Sequence, residues 1–246
     1  MASFTGWIPS SPYGGQGPLI SSVDHYDVYF RGEASGWELQ AWLKARPLAG
    51  NLDLGREVAR RVQAITVAPS NRAKIESSMR KVRQLGLDKL KQGNRLSTEV
   101  KLGPGGIRTI EFYVQYLQVR HGQALPELIS GNTLTVLGRL YRYRLLSPNY
   151  HDLLSKSYVF LRRIEHVLQL QGLQQRHELP ASPVELEKLA KRMGFEERLG
   201  QSASVQFRAR YRQHMLTLLE LSGTLFGYET NKPSEPMSGG APQENR

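Results

Sequence analysis

The chain has 246 residues, 39% of them hydrophobic and 22% charged, a composition that suits one or two soluble globular domains. It contains no cysteine and no apolar run of about 18 residues, which excludes disulfides, thiol chemistry and a membrane-spanning helix. The formal net charge of +11 is either a solvated basic surface or a match for an acidic protein, nucleotide phosphates or nucleic acid, although no aromatic-interleaved nucleic-acid motif is evident.

Residues 1–18 are rich in Gly, Pro and Ser and read as loop, without the basic-then-apolar pattern of a secretory signal, so a cytoplasmic protein is expected. Ser22 is placed to cap a short helix reaching about Phe30, with Val23, Tyr26 and Phe30 on one face. Residues 34–50 read as a helix passing into a strand that ends at Pro47 and Gly50, with Trp37 as a core anchor. An amphipathic helix follows, its stripe being Leu54, Val58, Val62 and Ile65. Pro69 breaks it, and Asn71 is placed to cap a long basic helix to about Lys91.

The stretch Val100-Lys101-Leu102-Gly103-Pro104-Gly105-Gly106-Ile107-Arg108-Thr109-Ile110-Glu111-Phe112 carries the most information. A Gly-rich turn opens a helix from about Gly105 to Arg120, closed by Gly122. Ile107, Ile110, Val114 and Leu117 fall at helical spacing and face a core, while Arg108, Glu111 and Gln115 form a polar row. Such a turn can bind an anion through free backbone N–H groups, but the Gly-Lys-Ser/Thr ending of a P-loop is absent.

Further helices are expected near 132–146, 148–172, 182–193 and 199–227. Tyr158, Leu161, Ile164 and Leu168 give the second of these helices, 148–172, its apolar stripe, and Met215, Leu218, Leu219, Leu221 and Leu225 mark the last helix as core. Arg162, Arg163, Glu165 and His166 form a polar group, with Glu165 bordering the core and paired to an arginine. Residues 229–246 are low in hydrophobic content and are expected to be disordered. The fold class is therefore mainly α: a helical bundle over 53–228, preceded by a short mixed α/β segment over 1–52 and followed by a tail over 229–246. The six histidines show no metal-ligand spacing, His151-Asp152 stands without companion ligands, and no Gly-x-Ser-x-Gly nucleophile turn occurs.

Three blocks resemble the glutamine synthetase adenylyltransferases. The Gly-rich stretch is similar to that family's Lys-Leu-Gly-x-Gly-Gly-Ile-Arg-Glu-Ile-Glu-Phe, with Thr109 replacing the usual acid. Trp37-Glu38-Leu39-Gln40-Ala41-Trp42-Leu43-Lys44-Ala45-Arg46 resembles its Trp-Glu-x-Gln-Ala-x-x-Lys-Ala-Arg. The third block is Phe160-Leu161-Arg162-Arg163-Ile164-Glu165-His166, followed by His177-Glu178-Leu179-Pro180. The wording is closest to the N-terminal, adenylyl-removing half.

The resemblance implies a nucleotidyltransferase of nitrogen regulation whose carboxylates hold Mg²⁺ for adenylyl transfer or phosphorolysis, with ATP or phosphate as co-substrate. It also implies an Asp-x-Arg-x-Arg-Pro stretch ahead of Gly-x-x-Gly-Pro-Leu. Here Gly14-Gly15-Gln16-Gly17-Pro18-Leu19 follows a stretch with no aspartate, and Asp24, Asp27 and Asp53 come after it, so no catalytic residue, metal ligand or cofactor is expected on this chain alone. Lys44 and Arg46, alternating on the expected strand, are candidates for a nucleotide phosphate; a salt-bridged strand end with Glu38 as one partner is the alternative. Gly105, Gly106, Arg108 and Glu111 form the domain-junction motif, with Arg108 and Glu111 expected as a largely solvated bracing ion pair. Implied partners are glutamine synthetase, a PII-type signal protein and a separate nucleotidyltransferase segment. Two alternatives stand beside an inactive fragment of the enzyme: a non-catalytic module that docks on those proteins, and a basic helical nucleic-acid-binding protein.

Overall fold

A computed structural model describes residues 22–172 and 177–225. Among these the chain forms α1 (Val23–Gly32), α2 (Gly36–Trp42), α3 (Leu52–Thr66), α4 (Arg72–Gln92), α5 (Ile107–His121), α6 (Thr133–Arg142), α7 (Pro148–Gly172), α8 (Pro183–Arg192) and α9 (Ala203–Leu225). The described residues contain no strand, only isolated antiparallel bridges at Glu99–Glu178 and Arg198–Gln201. The mainly helical architecture expected from the periodicity is the one observed. The loop read over 1–18 and the tail read over 229–246 lie outside the described residues.

Local chemistry sets the helix starts. Ser22 caps α1, its Oγ accepting from the N–H of His25 at 3.2 Å. At α2 the Ser35 N–H and Oγ donate to Glu38 Oε2 at 2.8 and 2.6 Å, and Tyr29 Oη donates to Glu38 Oε1 at 2.6 Å. Burial alone raises the Glu38 carboxyl, but these hydrogen bonds outweigh it and hold the group below the usual carboxylate range. Asn71 occupies the cap position of α4 but does not cap it: its side-chain amide donates to the Ile65 carbonyl at 2.8 Å.

The strand expected through Lys44 and Arg46 is not formed. Beyond Trp42 the N–H groups of Leu43, Lys44 and Ala45 turn back onto the carbonyls of Gln40, Ala41 and Trp42 at 3.1–3.2 Å, so they are not free to pair with a neighbouring strand. Nor is Trp37 the core anchor. It is 39% exposed, whereas Trp42 is buried and meets the ring of Phe30 edge-on at 5.3 Å. Leu54, the first residue of the expected α3 stripe, is also exposed, although Val62 and Ile65 are buried.

Two apolar cores share one wall. The first gathers Phe30, Leu39, Trp42, Val62, Ile75 and Met79 from α1–α4 against Phe112 and Val119 of α5. The second packs Ile107, Ile110, Val114 and Leu117 of α5 against residues of α6–α9, including Leu137, Leu154, Ile164, Leu189, Phe207 and Leu218. Because α5 meets a core on both sides, even Thr109, Gln115 and Gln118 are buried. This is the pattern of a central helix rather than a surface one. Each fully buried aliphatic or aromatic side chain here contributes about 1.5–3 kcal/mol relative to exposure.

Candidate functional site

The Gly-rich turn is closed on itself. Val100 O accepts from the N–H of Ile107, Lys101 O from Arg108 and Gly106 O from Thr109, each at 3.0 Å. The first donors of α5 are thereby taken, so the turn does not present the free N–H groups that anion binding requires. Its glycines serve close packing instead. Gly105 has φ +69°, and a Cβ there would stand 2.4 Å from the Met215 carbonyl of α9. A Cβ on Gly106 would stand 2.6 Å from the Val100 carbonyl.

One turn further along α5, two residues face Gln40 of α2 and Lys44 just beyond its end. Gln40 and Lys44 are separated by one helical turn, as are Glu111 and Gln115, and they pair in antiparallel order. Gln40 Nε2 donates to Gln115 Oε1 at 2.7 Å with both side chains buried. Lys44 Nζ lies 3.1 Å from Glu111 Oε1, which also accepts from Tyr158 Oη of α7 at 3.3 Å. The expected ion pair between Arg108 and Glu111 does not form, and neither residue is largely solvated. Glu111 is 18% exposed at its side chain, and Arg108 is half-buried with its guanidinium 5.5 Å from the centre of the Phe112 ring. Glu38, considered as a partner for Lys44, is engaged instead in capping α2.

Lys44 and Arg46 line one open cleft of about 870 Å³ between α1, the α2–α3 connection and α3. Its walls are mostly apolar, from Val23, Tyr26, Trp42, Leu54 and Val58. Arg46 is exposed and has no ion-pair partner among the described residues, whereas the Lys44 ammonium is already held by Glu111. The two cations therefore share a surface without the strand that was expected to align them.

A second polar group surrounds Glu165, whose side chain is 1% exposed. The expected arginine partner is Arg162, whose Nη1 donates to Glu165 Oε2 at 2.5 Å. Lys101 Nζ lies 3.4 Å from Oε1, and His177 Nδ1 lies 3.1 Å from it without hydrogen-bond alignment. Arg163 and His166 are exposed and stand outside the group. The sequence reading missed Lys101 and His177 as members, although both lie in the blocks that carry the family resemblance. Backbone pairing brings them in: Val100 N–H donates to His177 O at 2.8 Å and Leu179 N–H to Thr98 O at 2.9 Å. Burial and the Lys101 charge push the His177 imidazole below its ordinary range, opposed in part by Glu165 and Glu99.

The aspartates singled out in the sequence are used elsewhere. Asp24 and Asp27 approach Arg61 at 4.0 and 3.6 Å, Asp53 pairs with Arg56 at 2.6 Å and Asp152 pairs with Lys156 at 2.8 Å. His151 stacks on Tyr141 with ring centres 4.9 Å apart. Among the described residues no three His, Asp or Glu side chains group as metal ligands. No helix of the described residues is long and apolar enough to cross a membrane.

Residues 70–226 match the family described as GlnD PII-uridylyltransferase, and residues 11–61 match glutamate-ammonia ligase adenylyltransferase. The bifunctional glutamine synthetase adenylyltransferase/adenylyl-removing enzyme of Streptomyces coelicolor is 34% identical over 183 residues, covering 74% of this chain and 18% of that protein. The enzyme of the same description from Nocardia farcinica is 37% identical over 174 residues, covering 69% and 17%. That of Methylococcus capsulatus is 36% identical over 185 residues, covering 75% and 19%. The chain thus spans about a fifth of the length of the curated relatives it matches.

Proposed function

The chain belongs to the glutamine synthetase adenylyltransferase/adenylyl-removing family, with a helical part of the GlnD PII-uridylyltransferase type, and from that premise we propose that it serves as the helical part of a nucleotidyltransferase acting on glutamine synthetase. In this reading residues 1–52 belong with the nucleotidyltransferase domain, 53–228 form the helical domain and 229–246 are a tail. In the same reading Mg²⁺ and the transferred adenylyl group are handled by a nucleotidyltransferase segment other than this stretch. That segment seats against the apolar cleft, and a PII-type signal protein acts on the assembled enzyme.

The observation that supports this most is the cleft between α1 and α3, about 870 Å³ with Lys44 and Arg46 at its edge. Its walls fall inside the stretch 11–61 that matches glutamate-ammonia ligase adenylyltransferase. Arg46 is the cation free to meet a phosphate, and Lys44 reaches one only by exchanging Glu111 for it. The Gln40–Gln115 and Lys44–Glu111 pairs fix this edge to α5, so it is carried on a rigid helix.

The test mixes the purified chain with a nucleotidyltransferase segment from a relative and with bacterial glutamine synthetase. The chain alone should neither add nor remove AMP. The mixture should do so with Mg²⁺, and Arg46→Ala should raise the KM for ATP or phosphate while leaving association of the two segments intact. Metal-dependent turnover by the rigorously purified chain alone, or no association with the segment, would overturn the proposal.

A further inference from the structure

A second cleft, of about 560 Å³, lies on the far side of the second core, between the 97–98 and 179–181 connections and one face of α9. Its size falls within the roughly 300–1,000 Å³ of small-molecule sites. The α9 face that forms it carries Arg208, Tyr211, Arg212, Met215 and Leu219, spaced so that they line one side of the helix. The side changes character along its length. Two arginines stand one turn apart at its N-terminal end, and Met215, Leu216 and Leu219 follow towards its C-terminal end, with Leu179 and Leu186 opposite.

Three observations indicate what such a surface holds. Arg208 and Arg212 are exposed, and neither has an ion-pair partner among the described residues. Tyr211 lies between them, is only 4% exposed, and has a hydroxyl with no hydrogen-bond partner. That hydroxyl is shielded from solvent as well, so Tyr211 lines the cleft without offering a donor to it. Finally, Glu178 and Glu99 line the adjoining cleft and pair with neither arginine, although burial and then the Glu99 charge push the Tyr211 phenol above its ordinary range. A paired guanidinium set matches carboxylate and phosphate oxygens, and the apolar wall excludes an ion without a hydrocarbon part.

We propose that this cleft binds an amphipathic organic anion, with a carboxylate or phosphate head on Arg208 and Arg212 and an apolar body along Met215, Leu216 and Leu219. The site is separate from the Lys44–Arg46 cleft and does not depend on the reading of that cleft. Gly105 ties it to the rest of the fold, because the turn that opens α5 presses on the backbone of Met215.

The experiment is calorimetric titration of the full chain with decanoate, decyl phosphate, decanol, acetate and inorganic phosphate, all below micelle-forming concentrations. One equivalent of decanoate or decyl phosphate should bind saturably. Decanol, acetate and inorganic phosphate should each bind at least tenfold more weakly, and the tighter of the two heads identifies the source of the anion. Arg208→Gln/Arg212→Gln should weaken the anionic amphiphile at least tenfold without altering the circular dichroism, since both side chains are exposed. Leu216→Asp should weaken it from the apolar end. Equal binding of decanol, binding of inorganic phosphate as tight as that of decyl phosphate, non-saturable uptake, or an unchanged affinity in the folded double variant would each overturn the proposal.

Discussion

Lys44 and Glu111 lie 3.1 Å apart with 36% and 18% of their side chains exposed, so water screens the pair and limits its contribution to about 1 kcal/mol or less. Gln40 and Gln115 differ because both are buried. Truncating Gln40 leaves the Gln115 acceptor without its partner, which costs about 1–3 kcal/mol. Gln40→Ala should therefore lower the unfolding free energy more than Lys44→Ala does, as read from urea melts. The opposite order would show that the ion pair, not the amide pair, holds α2 on α5. Along α5, Arg108→Ala should cost about 0.5–1 kcal/mol through loss of its contact with the Phe112 ring. Ile110→Ala should cost roughly 2–5 kcal/mol, since that side chain is fully buried. Arg108 and Glu111 were legible as special residues, but their partners were not. Opposite charges three apart on one helix suggest each other, and only the approach of α2 gives Glu111 to Lys44 instead.

At the scale of elements, α6 ends on a conformational oddity. Tyr143 N–H returns to Arg139 O and Leu145 N–H to Leu140 O, both at 2.9 Å, and the residue between them, Arg144, is held at φ +58°. This closure favours glycine, because a Cβ in the left-handed region costs about 1–2 kcal/mol. Arg144→Gly should accordingly stabilise the protein by about 1 kcal/mol, and Gly105→Ala should destabilise it by more than about 2 kcal/mol through strain and the clash with Met215. Thermal melts of the two variants should shift in opposite directions; a shift of the same sign would contradict this account. Most helices were legible from 3.6-residue periodicity and from caps such as Ser22. The stretch Lys44-Ala45-Arg46 misled because alternation over three residues cannot distinguish a strand from a turn. Trp37 and Trp42 misled for another reason: bulk marks a core residue, but the phase of α2 decides which of the two faces inward. In α5 the stripe of Ile107, Ile110, Val114 and Leu117 was visible, yet the first core, which buries Phe112 and Val119, depends on α1–α4 from the N-terminal part of the chain.

Over the whole molecule, stability should depend on pH through histidines set in different places. Burial first, then neighbouring cations, push three imidazoles below their ordinary range: His121 with Arg120 and Arg72, His177 with Lys101, and His214 with Arg210. The unfolded chain then takes up protons from about pH 6.5 downwards while the folded chain resists them, so the stability present above that pH is lost as the pH falls through the folded-state values. Protonation also raises a net charge that is already +11, which adds self-repulsion. The urea midpoint should be flat between about pH 7 and 8 and should decline towards pH 5, above the range where carboxylates titrate. His177→Gln should flatten part of that decline, because the imidazole lies 3.1 Å from Glu165 and its environment is the most contested of the three. If the attraction of Glu165 and Glu99 outweighed burial and Lys101, protonation would strengthen the fold and the midpoint would rise on acidification. A rise that His177→Gln abolishes would refute the balance of charges assigned here and make the Glu165 group an ion-pair cluster that acid reinforces.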